Sequence, residues 1–211
     1  MPSKSLTGKL PEGESLVCED RRDPTIMCQF VLQDPAFFAF LFHIDKDHAA
    51  TVRLRGCSCG GPLHQANYAR KPRGGTRVES VDTTRLSFCC GHCRVRHTPA
   101  SVRFLARRVY WGAVVVLATA LCSGVNLRRG RQLSQQLGVP VLTILRWRQW
   151  WLTRFTTSAV WLDLRGRFVP PVAASDLPGA LLVRAVADER RGAMAMMMRW
   201  LAPLSTLTEG R

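Results

Sequence analysis

The sequence predicts a mainly helical protein that carries a small β zinc ribbon and a helix-turn-helix within a helical domain. Two short cysteine clusters, at residues 57–59 and 90–93, have the spacing with which two hairpin tips present thiolates to one zinc ion. Residues 131–147 then form two short apolar-patterned runs on either side of Gly138. These observations favour a metal-stabilised module followed by a helical motif.

The charge of the chain is strongly basic and unevenly distributed. The 211 residues have a formal net charge of +15, and residues 83–162 contain no Asp or Glu but twelve arginines. Such an acid-free basic block is typical of proteins that bind polyanions, because each phosphate contact releases counterions. A solvated basic face without a partner is the alternative interpretation.

The first part of the chain divides into a tail and a helix. Residues 1–25 are rich in Pro, Gly, Ser and charged side chains, which predicts a flexible tail. An N-terminal helix is expected within residues 26–54, where Asp34 and Pro35 form a start signal before an apolar stretch. The N-terminus shows no signal-peptide pattern, so we expect a cytoplasmic protein whose cysteines bind metal or stay free.

Residues 55–98 are the predicted zinc ribbon. The four ligands expected for a structural Zn²⁺ are Cys57, Cys59, Cys90 and Cys93. The second pair has the usual two-residue spacer, whereas the spacer of the first pair is one residue shorter, which leaves His64 or Cys89 as alternative ligands. Four protein ligands leave no open coordination position, so the site is expected to be structural and not catalytic.

Residues 99–155 are the predicted helical domain. Its first helix is expected to start at Thr98 and Pro99 and to continue into the uncharged residues 109–127. That run is close to the minimum length of a membrane span, but it includes a helix stop at Ser123 and Gly124. A buried core helix is therefore the preferred interpretation, and a small membrane-anchored protein is the alternative.

The helix-turn-helix carries the expected contacts to DNA. Gly138 permits the turn, and the inward positions are expected at Leu133, Leu137, Ile144 and Trp147. Thr143, Arg146 and Gln149 would face outward, where arginine can read guanine and glutamine can read adenine. Phosphate contacts are expected from Arg128, Arg129, Arg131 and Arg148. An ordinary helical hairpin with basic edges is the alternative.

Residues 156–211 are predicted to form a helical C-terminal extension. Two amphipathic helices are expected, at 176–187 and 190–201, and four methionines lie in the second. Methionine suits irregular core packing as well as adaptable partner surfaces. Core packing is the preferred interpretation.

A resemblance to a known group of proteins rests on four motifs: Cys57-x-Cys-Gly-Gly-Pro-Leu-His64, Arg70-Lys-Pro-Arg-Gly74, Phe88-Cys-Cys-x-x-Cys-Arg94 and Thr98-Pro-x-Ser101. Together they resemble zinc-ribbon proteins of bacterial mobile elements. The order of ribbon and helix-turn-helix is similar to the N-terminal, DNA-recognising half of insertion-sequence transposases, over about residues 55–155. The resemblance implies binding to double-stranded DNA, at element ends or other specific sites.

Catalysis is not expected. Metal-dependent strand transfer needs spaced carboxylates for two divalent ions, but the next acid after Asp82 is Asp163, and too little chain follows for such a domain. We expect a non-catalytic, zinc-stabilised DNA-binding protein of the bacterial cytoplasm and nucleoid, a transposition accessory or a regulator. Its further partner would be a separate transposase or a second copy of itself. The main alternative is an RNA-binding zinc-ribbon protein.

Overall fold

A computed structural model describes residues 31–74, 83–105, 108–121, 131, 134–185 and 190–206. Within these residues the chain is mainly helical and has a small amount of antiparallel β-sheet, as the sequence predicts. The tail predicted for residues 1–25 lies outside the described residues. So do Arg128, Arg129 and Leu133 of the predicted helix-turn-helix.

Helix α1 comprises Pro35–Arg55 and begins at the predicted start signal. The side chain of Asp34 accepts a hydrogen bond from the N–H of Ala36 at 2.9 Å, which satisfies one of the donors that a helix start leaves unpaired. Pro35 occupies the first turn, where its missing N–H costs nothing. The helix ends at Gly56, whose φ of 70° an L side chain rarely adopts.

Five short strands form two antiparallel sheets. Strands β1 (Leu63–Gln65), β4 (Phe88–Cys90) and β5 (Arg96–His97) make a three-stranded sheet in the order β1-β4-β5. Strands β2 (Tyr68–Ala69) and β3 (Thr84–Arg85) pair with each other. The predicted ribbon region therefore contains the expected antiparallel strands.

A small apolar core joins α1 to the strands. It consists of Ala49 from the helix together with Leu86 and Phe88 from the strand region. Phe42 and Leu63 pack against it and are only partly buried. Such a small core contributes little folding free energy by itself, so a further stabilising element is expected nearby.

The helix expected to start at Thr98 and Pro99 does not start there, and this expectation was wrong. Residues 98–105 are not helical, and helix α2 comprises only Gly112–Leu121. All ten residues of α2 are buried, as expected of a core helix. In the described part of the chain, no helix is long and apolar enough to cross a membrane.

A buried carboxylate explains why the residues before α2 are not helical. Asp45 of α1 accepts hydrogen bonds from the Ser101 hydroxyl at 2.5 Å, the Val102 N–H at 2.7 Å and the Arg103 Nε at 2.7 Å. Asp45 is 1% exposed and Arg103 is fully buried, so each charge needs the opposite charge beside it to offset the cost of leaving water. These bonds hold residues 101–103 in a non-helical conformation against α1.

The remaining helices follow in the C-terminal half. Helix α3 comprises Val141–Trp150 and continues directly into a π-helical turn, Trp151–Phe155. Helices α4 (Ala159–Arg165), α5 (Gly179–Arg184) and α6 (Arg190–Leu201) come next. Helix α2 packs against α3, α5 and α6.

The helix expected at 176–187 is shorter than predicted. Residues 174–176 form a single 3₁₀ turn and α5 begins only at Gly179. The cause is Pro178, because a proline disfavours helical geometry in the residue before it, and Leu177 is extended with a ψ of 143°. The second expected helix coincides with α6.

The main core includes both ends of the described chain. Its buried apolar side chains extend from Val31 to Leu204. Trp151 is fully buried and donates from its indole N–H to the Thr119 hydroxyl at 3.0 Å. The buried apolar side chains of the C-terminal region therefore belong to the same core as those of the N-terminal helix.

The methionines of α6 are mainly core residues. Met194, Met197 and Met198 are buried, and only Met196 is 36% exposed. A Cβ atom on Gly112 would lie 2.5 Å from the terminal methyl of Met198, so α2 and α6 touch there. This close packing supports the core interpretation of the methionines.

Candidate metal centre and basic helix

Four cysteines form a cluster at one end of the sheet. Their sulfur atoms all lie within 4.8 Å of one another; the four are Cys57, Cys59, Cys90 and Cys93. Two of the shortest separations are 3.4 Å from Cys59 to Cys90 and 3.5 Å from Cys57 to Cys93. Sulfurs arranged tetrahedrally about 2.3 Å from a zinc ion would be about 3.8 Å apart. Disulfide sulfurs would be about 2.05 Å apart, so the cluster fits a metal site and not a disulfide pair.

The two cysteine pairs come from different kinds of element. The first pair follows the C-terminal end of α1, in a turn closed by a hydrogen bond of 2.9 Å from the Gly60 N–H to the Cys57 carbonyl. The expectation that this pair lies at a hairpin tip was wrong. The second pair occupies the β4–β5 turn, where the Cys90 N–H donates to the Val95 carbonyl at 3.0 Å.

Backbone N–H groups lower the pKa of two of the four cysteine thiols. The pKa of Cys59 falls from 9.0 to about 6, first because the Gly61 N–H donates to its sulfur and then because of the neighbouring cysteines. The pKa of Cys90 is also lowered, mainly by the N–H of Cys93. Both arrangements favour the thiolate, which is the form that binds metal.

The thiol of Cys93 shows why four thiolates at this site would need a cation beside them. The N–H of Val95 favours the thiolate of Cys93, but the three other sulfurs and some desolvation outweigh it and raise the pKa of Cys93 to about 12. Thiolates this close repel one another. A divalent metal ion would offset that repulsion and allow all four to ionise.

Gly61 provides the close approach between the two halves of the cluster. A Cβ atom at this position would lie 2.7 Å from the Cys90 sulfur and 2.9 Å from the Cβ of His92. A side chain at position 61 would therefore prevent the turn that carries Cys57 and Cys59 from packing against the β4–β5 turn. The sequence shows this glycine beside the first cysteine pair, but the contact itself joins residues far apart in the chain.

Neither alternative ligand belongs to the cluster. Cys89 points away from it, and its sulfur donates to the carbonyl oxygen of Arg94 at 3.5 Å. His64 lies opposite Cys89 in the β1–β4 pair and is not part of the four-cysteine group. Despite the shortened spacer, the sulfurs of Cys57 and Cys59 therefore both lie in the cluster.

The region predicted as a helix-turn-helix has the expected turn. Residues 134–137 are helical, Gly138 has a φ of 61°, and α3 follows. Ile144 and Trp147 are buried, and Leu137 packs partly against the same core. Pro140 precedes the first turn of α3 and does not lie within it.

Helix α3 presents a mixed polar and apolar outer surface. Arg146 and Gln149 are exposed as predicted, whereas Thr143 is half-buried. Leu142 is 67% exposed and Leu145 is 48% exposed, and neither was predicted as a surface residue of interest. The sequence signal for them was their position: Leu142 and Leu145 are three residues apart and lie on a different side of the helix from the buried Ile144 and Trp147. Of the predicted phosphate contacts in the described residues, Arg131 is exposed and Arg148 is half-buried.

Two arginines of the acid-free block are buried. Arg103 is fully buried against Asp45, and Arg85 is 2% exposed. Burial lowers the pKa of Arg85, although Asp45 partly opposes this effect, and Arg85 donates to the Pro99 carbonyl at 2.6 Å. These two side chains hold the fold together and are not available for phosphate contacts.

Comparisons with known proteins give no relative for this chain. No protein-family model matches it, and neither a curated protein nor a solved structure shows significant similarity.

Proposed function

We propose that the protein binds double-stranded DNA through α3 and that a structural zinc ion in the four-cysteine cluster stabilises its ribbon. The observation that carries the proposal is the outer surface of α3. Arg146 and Gln149 are exposed there while Ile144 and Trp147 anchor the opposite side. A rigidly anchored helix with an outward arginine and amide is what base reading in the major groove requires.

Several features of α3 support contacts with bases. Arg146 and Gln149 are three residues apart, so they lie on neighbouring positions of one helix surface. Arginine can donate two hydrogen bonds to guanine, and glutamine can bond adenine in the same two-pronged way. Exposed Leu142 offers an apolar contact of the kind that a thymine methyl group accepts.

The charge distribution supports phosphate contacts around α3. Residues 83–162 contain no acid, so no carboxylate close in sequence competes with DNA for these arginines. Exposed Arg131 lies seven residues before Gly138, and half-buried Arg148 lies on α3 itself. We assign phosphate contacts to both, together with Arg128 and Arg129.

The wider role of the protein is part of the same proposal. The succession of cysteine ribbon and helix-turn-helix supports a non-catalytic accessory of a bacterial mobile element or a transcription regulator. Such a protein would act at the nucleoid, with a separate transposase or a second copy of itself as partner. The exposed Leu142 and Leu145 would then serve either the DNA contact or that second copy.

The proposal is tested by selecting bound sequences from a pool of random duplex DNA, with protein whose zinc content is known. The native protein is expected to enrich a motif. Arg146→Ala should lose the preference at one base pair of that motif, while Arg165→Ala should retain the whole motif, because Arg165 is also exposed but lies on α4. Strongly salt-dependent binding without any motif would contradict base reading and leave only a basic surface.

A further inference from the structure

A cleft between α1 and the strands lies apart from the cysteine cluster and from α3. Its volume is about 560 Å³, within the range of sites that bind small molecules or single bases. Phe42 and Ala49 of α1 form one wall, and Leu86 and Phe88 form the other. These side chains give the cleft an apolar interior.

The ring of Phe42 is fixed in position at the side of this cleft. The guanidinium carbon of Arg103 lies 4.4 Å from the ring centroid, and Arg103 is itself held by buried Asp45. The amine of Lys46 lies 5.3 Å from the same centroid. Phe42 is half-buried, so a held aromatic ring faces the cleft.

The cleft has a basic rim and a polar edge. Lys46 and Arg53 line it, are both exposed, and have no acidic neighbour among the lining residues. They are seven residues apart, which is about 10.5 Å along a helix. Gln65 and Asn67 contribute side-chain amides, and Oδ1 of Asn67 accepts a hydrogen bond from the Ser87 N–H at 2.9 Å, which holds that amide in place.

We propose that this cleft is a second nucleic-acid site, which takes an unpaired base of a single strand. The base would stack on Phe42, and the flanking phosphates would lie against Lys46 and Arg53. An apolar interior with an aromatic ring suits the face of any base, and amides suit its edge. Two cations in a row along the cleft match an anion with repeated charges better than a single charged headgroup.

This site goes beyond the proposed function, because α3 would read paired DNA and the cleft would hold unpaired nucleotides. The two sites use different residues. Loss of one activity therefore need not affect the other, and their failures can be told apart.

The test measures fluorescence anisotropy of labelled single strands of about twelve nucleotides, DNA and RNA, and of the matching duplex. Ala50→Trp places a large side chain in the cleft without removing a core residue, since Ala50 is exposed and lines it. Leu54→Trp is the matched control, because Leu54 is 89% exposed on the same helix and does not line the cleft. Zinc content and circular dichroism verify that each variant is folded.

The native protein and Leu54→Trp are expected to bind the single strands equally. Ala50→Trp should weaken that binding roughly tenfold or more, which is the size of one lost stacked base. The double variant Lys46→Ala/Arg53→Ala should also weaken it and should lower its salt dependence. The duplex motif should persist in all of these variants. The comparison of single-stranded DNA with single-stranded RNA shows which nucleic acid the cleft prefers.

Two results would overturn the inference. One is that the native protein binds neither single strand; the other is that Ala50→Trp and the double variant bind both as the native protein does. If Arg146→Ala leaves the cleft binding intact while no duplex motif exists, then only the proposed function of α3 falls.

Discussion

Gly61 is a single residue on which the proposed metal centre depends. Replacing it with alanine would place a Cβ atom 2.7 Å from the Cys90 sulfur. We expect Gly61→Ala to weaken zinc binding by roughly tenfold or more, because it shifts a ligand from its position. Competition with a chelating dye measures this affinity. Gly166→Ala is the control, since a Cβ there meets nothing within 4 Å, and equal affinities for the two variants would contradict the prediction.

The lowered pKa of Cys59 keeps one ligand of the site ionised at neutral pH, and a bound zinc ion would hold the other thiols ionised with it. Because its pKa is lowered from 9.0 to about 6, its thiolate persists as the pH falls and is lost only as the pH passes through about 6. We expect the bound zinc to be retained at neutral pH and released near or below pH 6. A dye that reports free zinc during acid titration checks this. Release already near pH 9, the ordinary thiol value, would contradict it.

The Asp45–Arg103 pair should be far more important for stability than the surface pairs. Asp45→Asn leaves the buried Arg103 guanidinium without its counter-charge, so we expect a loss of about 3–5 kcal/mol in the free energy of unfolding. Denaturant titration measures the loss. The control is Asp163→Asn, which removes the exposed partner of Arg167 and should cost at most about 1 kcal/mol. A similar small loss for Asp45→Asn would refute the assigned role.

At the scale of elements, α3 and its flanking residues should separate base reading from phosphate binding. Arg146→Ala should relax the preference at one base pair by about 1–3 kcal/mol. Arg131→Ala should instead weaken binding to all sequences alike and reduce the salt slope by about 0.9. Titrations of the enriched duplex and of a scrambled duplex across salt concentrations measure both effects. A uniform loss with Arg146→Ala would assign that arginine to the phosphates.

The elements that the sequence predicted are those with local signals. The start of α1 follows from Asp34 and Pro35, and the turn before α3 follows from Gly138. The grouping of the two cysteine pairs was expected from the way that metal sites combine such pairs, and their four sulfurs do lie within 4.8 Å of one another. The first two signals each lie within a few neighbouring residues. The third follows from the number of ligands that one metal ion needs.

The elements that the sequence did not predict depend on distant contacts. Thr98 and Pro99 are a valid helix start, yet the carboxylate of Asp45, 56 residues before Ser101, holds the following backbone in another conformation. Likewise, nothing in the local pattern shows that Arg85 and Arg103 are buried. In the first case, long-range hydrogen bonds prevent the helix that the local signal predicts. In the second case, they hold two arginines inside the protein, although the basic composition suggests that arginines lie at the surface.

At the scale of the whole molecule, zinc should stabilise one part more than the other. The ribbon has only a small core around Ala49, Leu86 and Phe88, whereas the main core includes α2 to α6. We expect chelation to make the ribbon cysteines reactive toward thiol reagents while most of the helical circular dichroism signal persists. Complete loss of helix on chelation would show that the two parts fold only together.

The central claim is that α3 reads DNA in a zinc-stabilised protein. Its most direct test is an anisotropy titration of the selected duplex with native protein, Arg146→Ala and the zinc-free form, beside a scrambled duplex. Native protein is expected to prefer the selected duplex, and Arg146→Ala should reduce that preference by about 1–3 kcal/mol. The zinc-free form is expected to bind more weakly and to regain affinity when zinc is restored. Equal binding of selected and scrambled duplexes by native protein would contradict the claim.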